Sequence, residues 1–269
     1  MNRYLLIFPF LFYFLNSIEV SADNNHNIDK DEIVIATWNI GHFSEGKVDH
    51  SLITSSDYNY KINEFRTFVY DTIAADILCV NEYSREFCRD SLRGIILAED
   101  SLFYRFKEKK VFKQNRFVCN AIFSNRSIEN AIMHPFLYNN DNTAKAEKHS
   151  IVWHYYVMTD ISINGQNVKL VCTHLVDRSE KHCQKQIKEL IKECDQYDRV
   201  IICGDMNTWN YFQFEEAGYL LANDGNSVTF PSKLYSLDNI IVKGLNISNV
   251  RIVKTDLSDH YSVSCKVSL

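Results

Sequence analysis

The chain has 269 residues, is 46% hydrophobic and carries a formal net charge of -5. That suffices for a sizeable core and excludes a disordered acidic tail. It has no basic excess of the kind that holds nucleic acid by charge, so no stable nucleic-acid complex is expected. An enzyme that meets phosphate briefly through a metal fits this balance.

In chain order, residues 1–22 come first. Arg3, the apolar stretch Tyr4–Leu15 and the small-residue ending Val20-Ser21-Ala22 follow the three-part plan of a secretory signal. The apolar part is short for a membrane-spanning helix. Cleavage is expected after Ala22, giving a secreted or periplasmic protein; Arg3 and Glu19 leave together, so the net charge is unchanged. Residues 23–30 form a polar N-terminal segment, and 31–269 is expected to be one domain, since no repeat or Pro/Gly-rich linker divides it.

Within that domain, "IVIATW" (33–38) is short, apolar and β-branched, which predicts a strand. Residues 59–74 place Phe65, Phe68, Val69, Thr72 and Ile73 at helical spacing. "DILCVN" (76–81) and "RFVCNAIFS" (116–124) predict two further strands, and 139–149 is a polar loop. Residues 151–163 and 168–175 flank Asn164-Gly165, a strong hairpin signal. A helix follows, with Cys183, Ile187, Leu190, Ile191 and Cys194 on one face, and then the strands "RVIIC" (199–203), "LDNIIV" (237–242), "NVRIV" (249–253) and "YSVSCKV" (261–267). Strands apolar on both sides need cover on both faces. Two sheets packed on each other with helices outside, a mixed α/β architecture, supply it.

Cys79, Cys119, Cys172, Cys203 and Cys265 lie in strand-like runs and read as small core residues, whereas burial is less clear for Cys88, Cys183 and Cys194. Cys183 and Cys194 share a helix at a separation of roughly 16 Å, too far to bond each other. No zinc-like Cys/His spacing is present.

Polar residues recur at strand ends: Asn39, Glu82, His174, Asp205 and Asn207 after apolar runs, Asp238 and the pair Asp259-His260 before them. Each alone is an ordinary turn former or cap. The spacing of two lets Asp205 and Asn207 face the same way if strand alternation persists through Gly204. Glu82, Asp205, Asp238 and Asp259 cannot crowd one pocket as free anions without strong repulsion. A hard divalent cation relieves it, and carboxylate and carboxamide oxygens suit magnesium. His174 and His260 could then move protons or donate to phosphate oxygens. The set points to metal-assisted hydrolysis of a phosphate ester.

"TWN", "DILCVNE", "NAIFS", "THL", "GDMN", "LDNIIV" and "SDHYSV", in this order over about residues 33–267, resemble the endonuclease/exonuclease/phosphatase superfamily. "TFP" (229–231) resembles its secreted bacterial members. The resemblance implies a DNase I-like fold: a four-layer α/β sandwich of two packed, mainly antiparallel sheets flanked by helices. It also implies a phosphoesterase dependent on magnesium, with manganese as the alternative. Glu82 would be the principal metal carboxylate, with Asn39 and Asp259 beside the metal. Asp238 would orient His260, which would polarise the attacking water or contact the phosphate. Asp205 is the candidate base, Asn207 would hold a phosphate oxygen or the nucleophile, and His174 would donate to the phosphate or leaving group. The chain departs from the family in three places. Asn81 stands where Gln usually precedes the metal Glu, Lys148-His149 where many members carry Arg, and His182 where an Arg often precedes Gln186. Loss of Arg at two places alters the substrate contacts, because Lys and His lack its bidentate fork.

The expected partner is a phosphate-ester substrate, and the protein is expected to be a monomer. For DNA or RNA, the candidate contacts are Lys107–Arg116 and Lys145–His149; for a phospholipid head group, as in sphingomyelinases or phosphoinositide phosphatases, they are the loop Pro135–Tyr138. Trp209 is expected to pack beneath the "GDMN" turn, with stacking on a substrate ring as the alternative, and Lys233 to be a solvated lysine. The aromatics of "WHYYV" (153–157) should alternate between faces of a strand. A non-catalytic binding module with the same fold would show erosion of the site, and none is seen.

Overall fold

The computed structural model describes residues 32–41, 64, 67–84, 95–96, 118–138, 154–177 and 179–269. The expected leader 1–22, the segment 23–30, Phe65, Cys88, Lys107–Arg116, the expected loop 139–149 and Trp153 lie outside the described residues, as does the side chain of Cys119.

The apolar runs form strands that assemble into two six-stranded sheets. The first contains β1 (Glu32–Asn39), β2 (Ile77–Ser84), β3 (Ile95–Ile96), β4 (Val118–Ser124), β11 (Asn246–Val253) and β12 (Ser262–Ser268), in the order β11-β12-β1-β2-β4-β3. The second contains β5 (Glu129–Pro135), β6 (Tyr155–Ile163), β7 (Gln166–His174), β8 (Val200–Asp205), β9 (Leu220–Leu221) and β10 (Asp238–Lys243), in the order β5-β6-β7-β8-β10-β9. The pairs β1–β2 and β7–β8 run parallel and the remaining pairings antiparallel. Asn164 and Gly165 turn the β6–β7 hairpin, both at positive φ.

Side-chain alternation divides the second sheet between two cores. Leu170, Cys172, Ile201, Cys203, Ile240 and Val242 face the first sheet, while Val171, Val200, Ile202 and Ile241 face outward. The outward face is covered by α1 (Glu180–Cys194) and α2 (Phe212–Glu216), through Cys183, Ile187, Leu190, Cys194 and Phe214. Ser179 caps α1 by accepting from the His182 amide. Tyr155 faces the inter-sheet core and Tyr156 the outer one, as strand alternation requires. On the far side of the first sheet, Trp38 meets Phe68 at 4.9 Å.

Several features differ from the sequence expectation. The described end of the helix expected over 59–74 is a π-helical segment, Phe68–Ile73, with Thr72 exposed. Cys183 and Cys194 are fully buried, and the six described cysteines Cys79, Cys172, Cys183, Cys194, Cys203 and Cys265 are all free thiols. Strands β3, β5 and β9 were not anticipated. All three are sheet edges: two are only two residues long, and β5 is mostly solvent-facing and ends in Pro135, so none carries the pattern of a buried strand.

The topology brings the polar strand ends together. Parallel pairing sets Asn39 opposite Asn81 and His174 opposite Asp205. Antiparallel pairing sets the start of β10, Asp238, opposite Asp205, and the start of β12 beside the end of β1. Six strand termini from two sheets thus meet at one end of the sandwich.

Candidate active site

The floor of this end is a buried amide cluster. Asn81 is fully buried and faces the second sheet. Its Nδ2 donates to Asn120 Oδ1 at 2.9 Å and to the Thr173 carbonyl at 2.8 Å, and its Oδ1 accepts from the Asp205 backbone N–H at 2.7 Å. Asn120 Nδ2 in turn donates to the Tyr155 carbonyl at 3.1 Å, and the Asn120 backbone N–H donates to the Tyr155 hydroxyl at 2.9 Å. The residue that departs from the family pattern therefore ties β2 and β4 to β7 and β8. In the sequence Asn81 stands out only as a departure from the family pattern; an Asn in each of two apolar strands, "LCVN" and "VCNA", is the signal of its role. Buried amides need partners, and each supplies the other.

Asp205 is the hub of the layer above. It is buried, and its Oδ2 accepts from Asn39 Nδ2 at 2.9 Å. The same oxygen lies 3.5 Å from His174 Nε2 and 3.8 Å from His260 Nε2. Asn39 Nδ2 also reaches Glu82 Oε1 at 3.3 Å, and Asn39 Oδ1 accepts from the Gly41 N–H at 2.9 Å. Regular alternation would turn Glu82 away from Asn81 and out of the cleft. A register shift between Val80 and Tyr83, with Glu82 itself at φ 54°, returns its carboxylate to Asn39.

His260 is held from both sides. Its Nδ1 lies 2.8 Å from Asp238 Oδ2, its ring packs on Phe230 at 4.6 Å, and its backbone N–H donates to Ser258 Oγ at 3.1 Å. Ser258 Oγ donates to the Asn39 carbonyl at 2.7 Å, and Trp38 Nε1 to the His260 carbonyl at 3.1 Å, so β1 fixes the loop that carries the histidine. Asp238 is fully buried, and its N–H donates to Thr229 Oγ1. Burial opposes the charged imidazolium of His260. The adjoining Asp238 carboxylate outweighs it, with Asp205 and Asp259 adding to the effect, and the pKa rises to about 10. Burial likewise raises the pKa of Asp238 against the pull of His260. The geometry is that of a buried imidazolium–carboxylate pair.

The remaining expected residues fall at the same end. Asp259 is exposed, with its Oδ1 3.4 Å from Ser258 Oγ and packed so near Gly41 that a Cβ there would lie 2.5 Å from it. Asn207 does not continue the alternation of β8. The strand ends at Asp205, and Asn207 sits at φ 49°, with its N–H donating to Asp205 Oδ1 at 2.8 Å and its Nδ2 to the Leu175 carbonyl at 2.8 Å. An Asx turn, not strand spacing, keeps the two residues together. His174 receives His154 Nδ1 at its carbonyl oxygen at 3.1 Å. His182 lies with its Nδ1 2.8 Å from Ser179 Oγ, and Gln186 bridges the Val176 N–H to the Tyr138 carbonyl, so both serve the α1 junction. Trp209 is not packed beneath the turn: it is 59% exposed, against Tyr235 at 4.8 Å. Lys233 is exposed, 5.7 Å from the Phe230 ring centroid.

One ligand atom each from Asp205, Asp238 and His260 lies within 4.8 Å of the others. Two mixed sheets flanked by few helices, with this cluster at one end, define the DNase I-like class of fold. The chain belongs to the Endonuclease/Exonuclease/phosphatase family, whose family model matches residues 36–260. Among solved structures, an endonuclease/exonuclease/phosphatase from Bacteroides vulgatus is similar at 16% identity and TM-score 0.62, over 88% of this chain and 99% of that one. The human Nocturnin catalytic domain with bound sulfate anion is similar at 17% identity and TM-score 0.58, over 89% and 95%. The D. rerio TDP2 complexed with single strand DNA product is similar at 12% identity and TM-score 0.59, over 88% and 99%. These likenesses establish the shared fold. No curated protein matches the chain in sequence.

Proposed function

We propose that the protein is an exported, divalent-metal-dependent phosphoesterase that hydrolyses a phosphodiester or phosphomonoester by in-line attack of an activated water. The observation that carries this reading is the convergence of Asn39, Glu82, Asp205 and the Asp238–His260 pair on one cleft. The export step rests on the leader-like residues 1–22.

The donor set fits a hard divalent cation. Glu82, Asn39 and Asp259 offer carboxylate and carboxamide oxygens, no thiol takes part, and Asp205 adds negative charge 2.9 Å from the Asn39 amide. Those three residues would hold magnesium or manganese. When bound, the ion supplies Lewis-acid neutralisation of the charge that develops on the phosphate. The chain's own groups do the rest. Asp205, fixed by Asn39 and the Asn207 N–H, accepts the proton of the attacking water at Oδ2. His260, with Nδ1 committed to Asp238, directs Nε2 at the phosphate, and His174 Nε2 donates to a phosphate oxygen or the leaving group. Asn207 holds a phosphate oxygen. The Asn81 clamp keeps the Asp205 backbone in place through these steps.

Two substrate classes suit this reading. Nucleic acid is supported by the likeness to D. rerio TDP2 in complex with a single strand DNA product. A phospholipid head group is the other. A non-catalytic module would have no need to keep both histidines and all four carboxylates. The test is a panel of DNA, RNA, sphingomyelin and bis-p-nitrophenyl phosphate offered to the mature protein with magnesium or manganese. EDTA should stop turnover and added metal restore it. Glu82→Ala and His260→Ala should each abolish hydrolysis while the fold is retained by circular dichroism. Near-full activity in either variant, or turnover indifferent to EDTA, overturns the proposal.

A further inference from the structure

We propose that the rim beside this site, formed by Trp209, Leu234 and Tyr235, is a docking surface for a phospholipid bilayer, which makes a membrane phospholipid the substrate class. The inference rests on the phosphoesterase reading above.

Large apolar side chains are exposed at this rim. Leu234 is 76% exposed, Trp209 59% and Tyr235 38%. Trp209 and Tyr235 touch, with ring centroids 4.8 Å apart, and Leu234 adjoins Tyr235 in sequence. The rim is continuous with the cleft: Trp209 follows Asn207 by two residues, Tyr235 precedes Asp238 by three, and Phe230, paired with Tyr235, packs on His260 at 4.6 Å.

The tip is held, not loose. Phe230 and Tyr235 exchange backbone hydrogen bonds at 2.8 and 3.1 Å, and Thr229 Oγ1 accepts from the amides of Leu237 and Asp238. Leu234 sits at φ 59°, a region where an L side chain is strained and glycine or asparagine is at ease. A branched aliphatic residue, three-quarters exposed, is thus kept in a backbone conformation that disfavours it. Strain of this kind concentrates at functional positions.

The composition selects the occupant. An exposed leucine, a tryptophan, a tyrosine and a lysine, Lys233, are together the residue types that a membrane interface takes, from acyl chains to head groups. A nucleic-acid rim would instead carry repeated cations, yet segments 208–212 and 229–237 contain Lys233 alone. Three side chains are too few for a stable protein–protein interface. They suffice for the shallow, reversible docking that an interfacial enzyme needs.

The probes are phosphatidylcholine vesicles, with and without phosphatidylserine, in a co-sedimentation assay, with bis-p-nitrophenyl phosphate as a soluble control for chemistry. Leu234→Asp and Trp209→Ala should each weaken vesicle binding by about tenfold, the size expected for losing one large buried apolar side chain. Leu234→Gly should weaken it similarly while relaxing the left-handed backbone, so its loss of binding cannot be ascribed to misfolding. Cleavage of the soluble diester should be unchanged in all three. Vesicle binding insensitive to these substitutions overturns the proposal, as does a rise in KM for single-stranded DNA in Trp209→Ala without an effect on vesicles. If the wild-type protein binds vesicles through this rim but cleaves no diester, the docking surface stands and the phosphoesterase reading fails.

Discussion

Replacing Asn81 by alanine tests whether the buried amide clamp holds the site. The substitution removes three hydrogen bonds of 2.7, 2.8 and 2.9 Å, and leaves the Asp205 N–H, the Thr173 carbonyl and the Asn120 amide oxygen short of a partner in a region without solvent access. At about 1 kcal/mol net per hydrogen bond, with added desolvation cost for each stranded group, the loss is roughly 3–5 kcal/mol. That is a large share of the ~5–15 kcal/mol that stabilises a typical protein. The catalytic consequence is separate. Asp205 would lose the anchor on its backbone, and a displacement of about 1 Å at a reacting group costs on the order of a hundredfold in rate. Asn81→Gln keeps the same donors and acceptor but adds a methylene to a packed core, at about 1–3 kcal/mol. Urea denaturation and kcat/KM with magnesium, measured on both variants, separate the two effects. Asn81→Gln should retain more activity than Asn81→Ala at equal folded fraction. A loss below about 1 kcal/mol with full turnover in Asn81→Ala would refute the clamp.

Gly204→Ala should abolish soluble folded protein, because a Cβ there would lie 1.8 Å from the Thr173 carbonyl oxygen in the neighbouring strand; a normal melting temperature would contradict the β7–β8 register. Asp238→Asn should lower kcat by about 10²–10⁴ with the fold intact by circular dichroism, since it removes the carboxylate that orients His260, and wild-type turnover would exclude that role. His154 is held down to about 4 from 6.5, chiefly by burial and then by neighbouring His174. Its stability contribution is therefore full above pH 6.5 and is lost as pH falls through 4, by about 3 kcal/mol in all. His154→Gln should flatten the fall in unfolding free energy between those two values, and an unaltered pH profile would show that His154 is not buried neutral.

How much of this was legible in the sequence depends on where each residue's constraint lies. The long strands and α1 were readable because burial on one or both faces imposes a pattern on consecutive residues, as in "VIIC" of β8. The edge strands β3, β5 and β9 were not, because only one neighbour and half a face constrain them. The motif residues were readable as strand ends. How they meet was not, because each contact joins residues far apart in sequence: Asn39 to Asp205 spans 166 positions and Asn81 to Asp205 124. Local backbone exceptions were likewise hidden. The left-handed residues Glu82 and Asn207 re-aim their side chains against strand alternation, and the spacing argument for Asn207 fails for that reason. Trp209 was misplaced because an exposed tryptophan beside a cleft has the same sequence context as a buried one.

Strand direction, more than any single motif, decides that a site exists here. Glu82 lies near the end of β2 and Asn39 ends β1, and the two can meet only because β1 and β2 run parallel. With β2 reversed in place, Glu82, the sixth of its eight residues, would stand third, about 10 Å away along the strand at the usual rise per residue and out of reach of Asn39. The same holds for His174 and Asp205 across β7 and β8. The antiparallel partners work the other way: β10 and β12 must contribute their first residues, so Asp238 and His260 precede apolar runs whereas Asn39, His174 and Asp205 follow them. The order of polar and apolar residues around each strand is therefore a record of its direction, and a polar residue moved to the other end of any of these strands would leave the cleft altogether.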